Sequence, residues 1–149
     1  MIMSVAEAFS DRLRLKAILA AFIGYLVLSV ALFAVIVQFW IPAGVPANRL
    51  QELAEADRTL LLWQQILGTF LGVLSGYLAG RMSGALGLRN SLVVGGLLTL
   101  YGILGIYLHP DHSLLMQLGK LISPIPITLL GGWIALKRAS RSSRQGDHA

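Results

Sequence analysis

The residues able to do chemistry are few, and they lie toward one end of the apolar stretches that hold them. Lys120 is the one ionisable residue inside such a stretch, six residues past Leu114 and so about 9 Å in by helical rise. A charge is expensive in hydrocarbon, which makes an embedded lysine a functional candidate by default. Gln117, Lys120 and Ser123 recur at i, i+3 and i+6 and share one helical face. Gln38, Gln64 and Gln65 fall at similar depth on other stretches. Together the six could line an outward-facing polar pocket. The rival expectation is that the lysine stem carries its ammonium back to the nearby interface, and at so shallow a depth this is the favoured one. Pro124 and Pro126 follow directly. Each removes a backbone donor, which predicts a kink or a break. Broken helices near mid-membrane hold ions and substrates in transporters, yet kinks are also ordinary in bundles whose neighbours re-satisfy the backbone. The kink is preferred.

Other chemistry is thinly represented. His109-Pro110-Asp111-His112 contains metal-ligand types, but one short turn seldom supplies a full ligand set, so an outer turn is expected and no metal. There is no cysteine, hence no thiolate site and no disulfide. No Asp or Glu is embedded in an apolar stretch, which argues against a carboxylate-based proton relay. No serine–histidine–acid set or phosphate-binding loop is visible. An enzyme is not expected, and neither is a cofactor.

The elements that must position these residues follow from composition. Of 149 residues, 56% are apolar and 13% charged, against roughly 25% charged in soluble domains. Apolar runs cover residues 17–41, 59–80, 91–108 and 114–136, each near the ~20 residues that a transmembrane helix needs. The expected fold is all-α: a polytopic membrane protein forming one domain over residues 1–149, a bundle of four transmembrane helices with a basic cytoplasmic tail over 137–149. Val45-Pro46-Ala47 resembles a signal-peptidase site, but the run before it is longer than the roughly 7–15 residues of a signal h-region, so it is read as a retained anchor. Two short helices are expected outside the spans. One lies over 48–57, with Asn48 and Gln51 as a capping box; the other lies over 4–16, with Ser4 and Glu7 in those roles. The polar tail over 140–149 is expected to be disordered.

Charge sets the orientation. Arg12, Arg14, Lys16, Arg81, Arg89, Lys137, Arg138, Arg141 and Arg144 all fall on one side, opposite Arg49, Arg58, Glu52, Glu55, Asp57 and Asp111. The positive-inside rule then puts both termini in the cytoplasm. The net charge of +5 points to anionic lipid headgroups at that face. Nucleic acid is not expected as a partner, since no basic stripe interleaved with aromatics appears.

Packing seams are written in glycine. Gly68, Gly72, Gly76 and Gly80 stand four apart, with Gly84 beyond the inner boundary. Each steps about 40° past the last, and the run rises about 18 Å, suiting a right-handed crossing near −40°. Ile66, Phe70, Leu74 and Leu78 form a bulky stripe on the opposite face. Gly95, Thr99 and Gly102 on the third span, or the alanines and Gly24 of the first, are the expected fillers of the groove. Packing within the subunit is preferred to a homo-oligomeric interface.

The run Leu74-Ser75-Gly76-Tyr77-Leu78-Ala79-Gly80-Arg81-Met82-Ser83-Gly84, followed by Asn90-Ser91-Leu92-Val93-Val94-Gly95-Gly96-Leu97, resembles a pattern of small bacterial four-span membrane proteins. In these a G-Y-x-A-G-R-like span end leads through a short basic loop into a glycine-rich span. The likeness covers about residues 68–105 and implies a bacterial inner-membrane setting without naming an activity. The chain lacks the embedded glutamate of small multidrug exporters and the G-G-x-x-G-A-x-x-R pattern of small fluoride channels. The expected role is structural or partner-binding, within the membrane or through a homo-oligomer. The alternative is a small oligomeric channel or carrier that uses the Lys120 face and the Pro124/Pro126 break.

Overall fold

The computed structural model describes residues 14–41, 44–46, 49, 53, 56–108 and 114–146. Among these the regular structure is helical, with no strand. The elements are α1 (Leu15–Trp40), α2 (Arg58–Ser83), a 3₁₀ turn (Gly84–Leu86), α3 (Gly87–Leu108), α4 (Leu114–Ile122) and α5 (Pro124–Gly146). Most of the expected helices over 4–16 and 48–57, with their capping boxes, lie outside the described residues, as do His109, Pro110, Asp111 and His112.

The local sequence explains the helix ends. Ile41 leaves α1 with φ −99° and ψ 133°, the extended geometry that a following proline imposes on its neighbour. Asp57 caps α2, its side chain accepting from the amides of Thr59 (2.8 Å) and Leu60 (3.4 Å). At the other end Gly84 takes φ 59°, in the left-handed region where a side chain is disfavoured. It lets the chain reverse within three residues. The loop expected between the second and third spans thereby shrinks to the Gly84–Leu86 turn, and α3 starts at Gly87.

Two helical stretches, Leu15–Trp40 and Arg58–Leu108, are long and apolar enough to cross a membrane. The second folds back on itself at Gly84. The fourth apolar run is divided at Ser123 into the nine-residue α4 and a longer α5. The division is a one-residue interruption: Ser123 N–H still donates to Gly119 O (3.0 Å) and Ile127 N–H to Ser123 O (3.2 Å). Pro124 and Pro126 supply no donor there. The tail differs from expectation. Rather than becoming irregular from Ser140, α5 continues through the basic residues to Gly146; Lys, Arg, Gln and Ala are good helix formers, and no glycine intervenes before that point.

α2 stands at the centre. It packs most extensively on α5, then on α3 and α1, while α5 also lies along α3. Arg14 Nη1 donates to Met82 O (3.1 Å) and Trp40 Nε1 to an Asp57 carboxylate oxygen (2.9 Å), pinning α1 antiparallel to α2 at both ends. Ile18, Ala21, Ala79, Val94 and Leu98 make a small buried cluster. The exterior is apolar instead: Phe39 is 86% exposed, Tyr107 82% and Phe70 62%. Soluble monomers rarely present contiguous apolar surface on that scale.

Candidate functional site

The most constrained place in the molecule is the seam along α2. A methyl group added at Gly72 would approach Ile127 Cγ2 to 2.8 Å, and one at Gly76 would lie 2.6 Å from Thr128 Cα, against its carbonyl oxygen. At Gly80 it would meet Gly132 Cα at 3.0 Å and Ala135 Cβ at 3.1 Å. The relation is reciprocal, since a methyl at Gly131 would lie 2.6 Å from Tyr77 N and against Val73 O. The groove is therefore filled chiefly by α5, with α3 entering beside it, whereas the sequence had suggested the third span or the first. The physical reason is that the Gly131-Gly132 pair presents two adjacent positions without side chains, so the backbones can approach directly. Gly68 has only the Tyr25 hydroxyl near it, at 3.9 Å, and belongs to the looser α1 side.

α3 enters the same seam. Gly95 faces Ile125 Cα (3.0 Å from an added methyl) and the Thr128 hydroxyl, while Gly87 faces Gly80 O (2.9 Å). A methyl added at Gly102 would lie 2.7 Å from the Lys120 carbonyl oxygen, so α4 lies against α3. Pro124 cannot donate to that carbonyl, and the bare Gly102 backbone beside it admits the close Cα–H···O approach seen at helix interfaces. Thr99 returns its hydroxyl to Gly95 O of its own helix (3.0 Å).

Buried polar groups lock the seam, and sequence reasoning missed them. Ser91 Oγ lies 2.8 Å from both Gly76 O and Gly87 O, as a donor to them. Ser75 donates to Ala21 O of α1 (2.9 Å), Asn90 Nδ2 to Ser83 Oγ (2.6 Å), and Thr128 to Pro124 O (2.9 Å). Small residues beside glycine on an apolar helix were the available signal, because in hydrocarbon a hydroxyl must find a carbonyl.

The six polar candidates are not gathered in the same way. Gln117, Lys120, Ser123 and Gln64 are half-buried, and Gln38 and Gln65 are exposed. α4 packs on α3 and α5 without comparable contact to α1 or α2. Among the described residues, an open hollow of about 490 Å³ lies where Trp40, Ile41, Asp57, Arg58 and Leu60 meet, and a narrow crevice runs between α1 and α2 beside Gly24 and Tyr25. None of the six lines either one.

At the open hollow, the Trp40 indole and the Thr59 amide hold the Asp57 carboxyl below its usual range. Because the folded state favours the carboxylate, this contribution is present above the ordinary carboxylate range and is lost as pH falls through the depressed value. Wild-type chain is therefore expected to lose part of its thermal stability on acidification below about pH 4, and Asp57→Asn to lose less over the same interval. Parallel melts across that range measure the difference; identical curves would remove Asp57 as the cause.

At the opposite end of the bundle the described residues Arg14, Lys16, Arg81, Arg89, Lys137, Arg138 and Arg141 collect from the start of α1, the α2–α3 turn and the end of α5. Lys137 Nζ sits 4.7 Å from the Trp133 ring centroid, and the Arg138 guanidinium lies 5.8 Å from that of Tyr77. No protein-family model, curated protein or solved structure matches the chain.

Proposed function

We propose that this chain is a compact four-span bundle of the bacterial inner membrane, with both termini cytoplasmic, serving a structural or partner-binding role rather than catalysing a reaction. The observation that carries this reading is the inverted distribution of side chains. Large apolar residues face outward along the helices, while glycine, serine and threonine fill the interior seam. That suits hydrocarbon as the solvent, where close backbone packing and internal hydrogen bonds hold helices together. The one-sided cations support the orientation, with anionic headgroups as the partner at that face. No cofactor and no nucleic acid belong to this reading; a homo-oligomer or a membrane-protein partner does.

Reporter fusions test it. Alkaline phosphatase is expected to be active when joined within 44–56 or 109–113 and inactive after residue 146, with a fluorescent reporter behaving in the opposite sense. An active phosphatase after 146 would overturn the four-span, cytoplasmic-terminus arrangement. A second reading, a small oligomeric channel or carrier, draws support from the interruption at Ser123 and the Lys120 carbonyl set against Gly102. Liposomes holding wild-type chain would then leak ions and those holding Lys120→Leu would not; tight wild-type liposomes would remove it.

A further inference from the structure

The α2–α5 seam has a consequence at its charged end. Because Gly76 and Gly131 let the two backbones nearly touch, the side chains just beyond the seam are forced together. Tyr77 and Arg81 are one turn apart on α2, and Arg138 arrives from α5. The Arg138 guanidinium lies over the Tyr77 ring, and its charge and that of Arg81 both act on the Tyr77 hydroxyl. Two guanidiniums thus converge on one neutral group. Among the described residues the only carboxylate is Asp57, at the far end of α2, so no described acid neutralises the pair. Both arginines are exposed while Tyr77 is half-buried. Trp133, also exposed, stands one turn before Lys137 on α5 and is covered by it, the arrangement of an aromatic anchor at the headgroup level.

We propose that Tyr77, Arg81 and Arg138 form a seat for the phosphate of an anionic phospholipid, an inference that rests on the membrane-bundle reading above. Guanidinium forks match phosphate oxygens in pairs, and the phenol hydroxyl between them can donate to a third oxygen. The lipid neutralises two like charges that the glycine seam holds close together, so it stabilises the α2–α5 contact itself. A lipid is preferred to free phosphate because the seat lies at the end of an apolar helix pair, where acyl chains can continue along the exposed faces of Leu78 and Leu130.

The experiment uses the full chain in mild detergent, with native mass spectrometry and thermal unfolding as readouts. Phosphatidylglycerol is expected to stay bound and raise the unfolding temperature, whereas phosphatidylcholine and inorganic phosphate do neither. Arg81→Gln/Arg138→Gln should weaken phosphatidylglycerol binding about tenfold or more, given the typical contribution per cation near a membrane surface. The charge-matched Lys16→Gln/Arg141→Gln should lose clearly less. Arg138→Gln alone changes one exposed side chain and keeps the comparison readable if the double variant aggregates. Equal losses in the two double variants would mean diffuse attraction and overturn the seat, as would stabilisation by inorganic phosphate equal to that by the lipid. Sedimentation with carbonate-washed membranes separates the two levels. A chain that stays in the membrane but ignores phosphatidylglycerol loses only the seat, whereas one that washes off loses the bundle reading with it.

Discussion

Gly76→Leu is expected to leave almost no folded, monodisperse protein. At this position even a methyl group would run into the Thr128 backbone, 2.6 Å from its Cα, so no side-chain rotation can make room. The helices would have to part, and the Ser91 hydrogen bond to Gly76 O would go with them. Overpacking a tight core usually costs about 1–3 kcal/mol and more where rearrangement is blocked; a loss of at least ~3 kcal/mol is expected here. Alanine scanning should then rank the glycines by what they face. Gly76 and Gly131, which meet backbone, should suffer most. Gly80, with contacts of 3.0 and 3.1 Å, should suffer less. Gly68 and Gly96, with open space or a distant hydroxyl, should tolerate alanine or gain from it, since alanine is the better helix former by about 1 kcal/mol. Leu74→Ile conserves volume and should cost less than about 1.5 kcal/mol. Yield, size-exclusion profile and melting in detergent measure the series. Equal behaviour of Gly76→Leu and Leu74→Ile would mean that α2 and α5 are not joined as described.

The second large effect is Gly132→Ala, together with its rescue. The added methyl would lie 2.8 Å from Ser91 Cβ and against its hydroxyl, so this single change should separate α5 from α3. Ser91→Gly removes the obstructing atoms. Alone it forfeits a buried hydrogen bond to Gly76 O or Gly87 O, worth about 1 kcal/mol, and some helix propensity. Combined, Ser91→Gly/Gly132→Ala only moves the Cβ from one helix to the other. The pair should therefore recover much of what Gly132→Ala loses, with a coupling of about 1–3 kcal/mol. Simple additivity of the two losses would show that the residues do not meet.

Much of this was legible in the sequence, for a physical reason: a helix that must hide its backbone from hydrocarbon writes its length as an apolar run, and a close contact writes itself as spaced glycine. The apolar runs at 17–41, 59–80 and 91–108 correspond to α1, α2 and α3 within a few residues at most ends. The α2 groove was legible from its spacing, but its occupant was not. Spacing records only that something approaches, and Gly131-Gly132 shows two glycines rather than a four-residue repeat. The proline break drew attention to what lies before it, at Lys120, although the residues after it carry the packing. The polar candidates depended on depth along separate helices, and depth says nothing about rotation; α4 sets its Lys120 backbone against Gly102 of α3. The continuation of α5 to Gly146 was missed because polar composition was read as irregular, when Arg, Gln and Ala sustain a helix.

That α5 fills the α2 groove also has a bearing on biogenesis. The ribosome delivers α2 and α3 before α5, so the hairpin exists for an interval with Gly72, Gly76 and Gly80 uncovered by α5 and with Ser91 lacking the wall that later encloses it. Chains interrupted upstream of Gly131 would therefore leave that glycine track uncovered by α5.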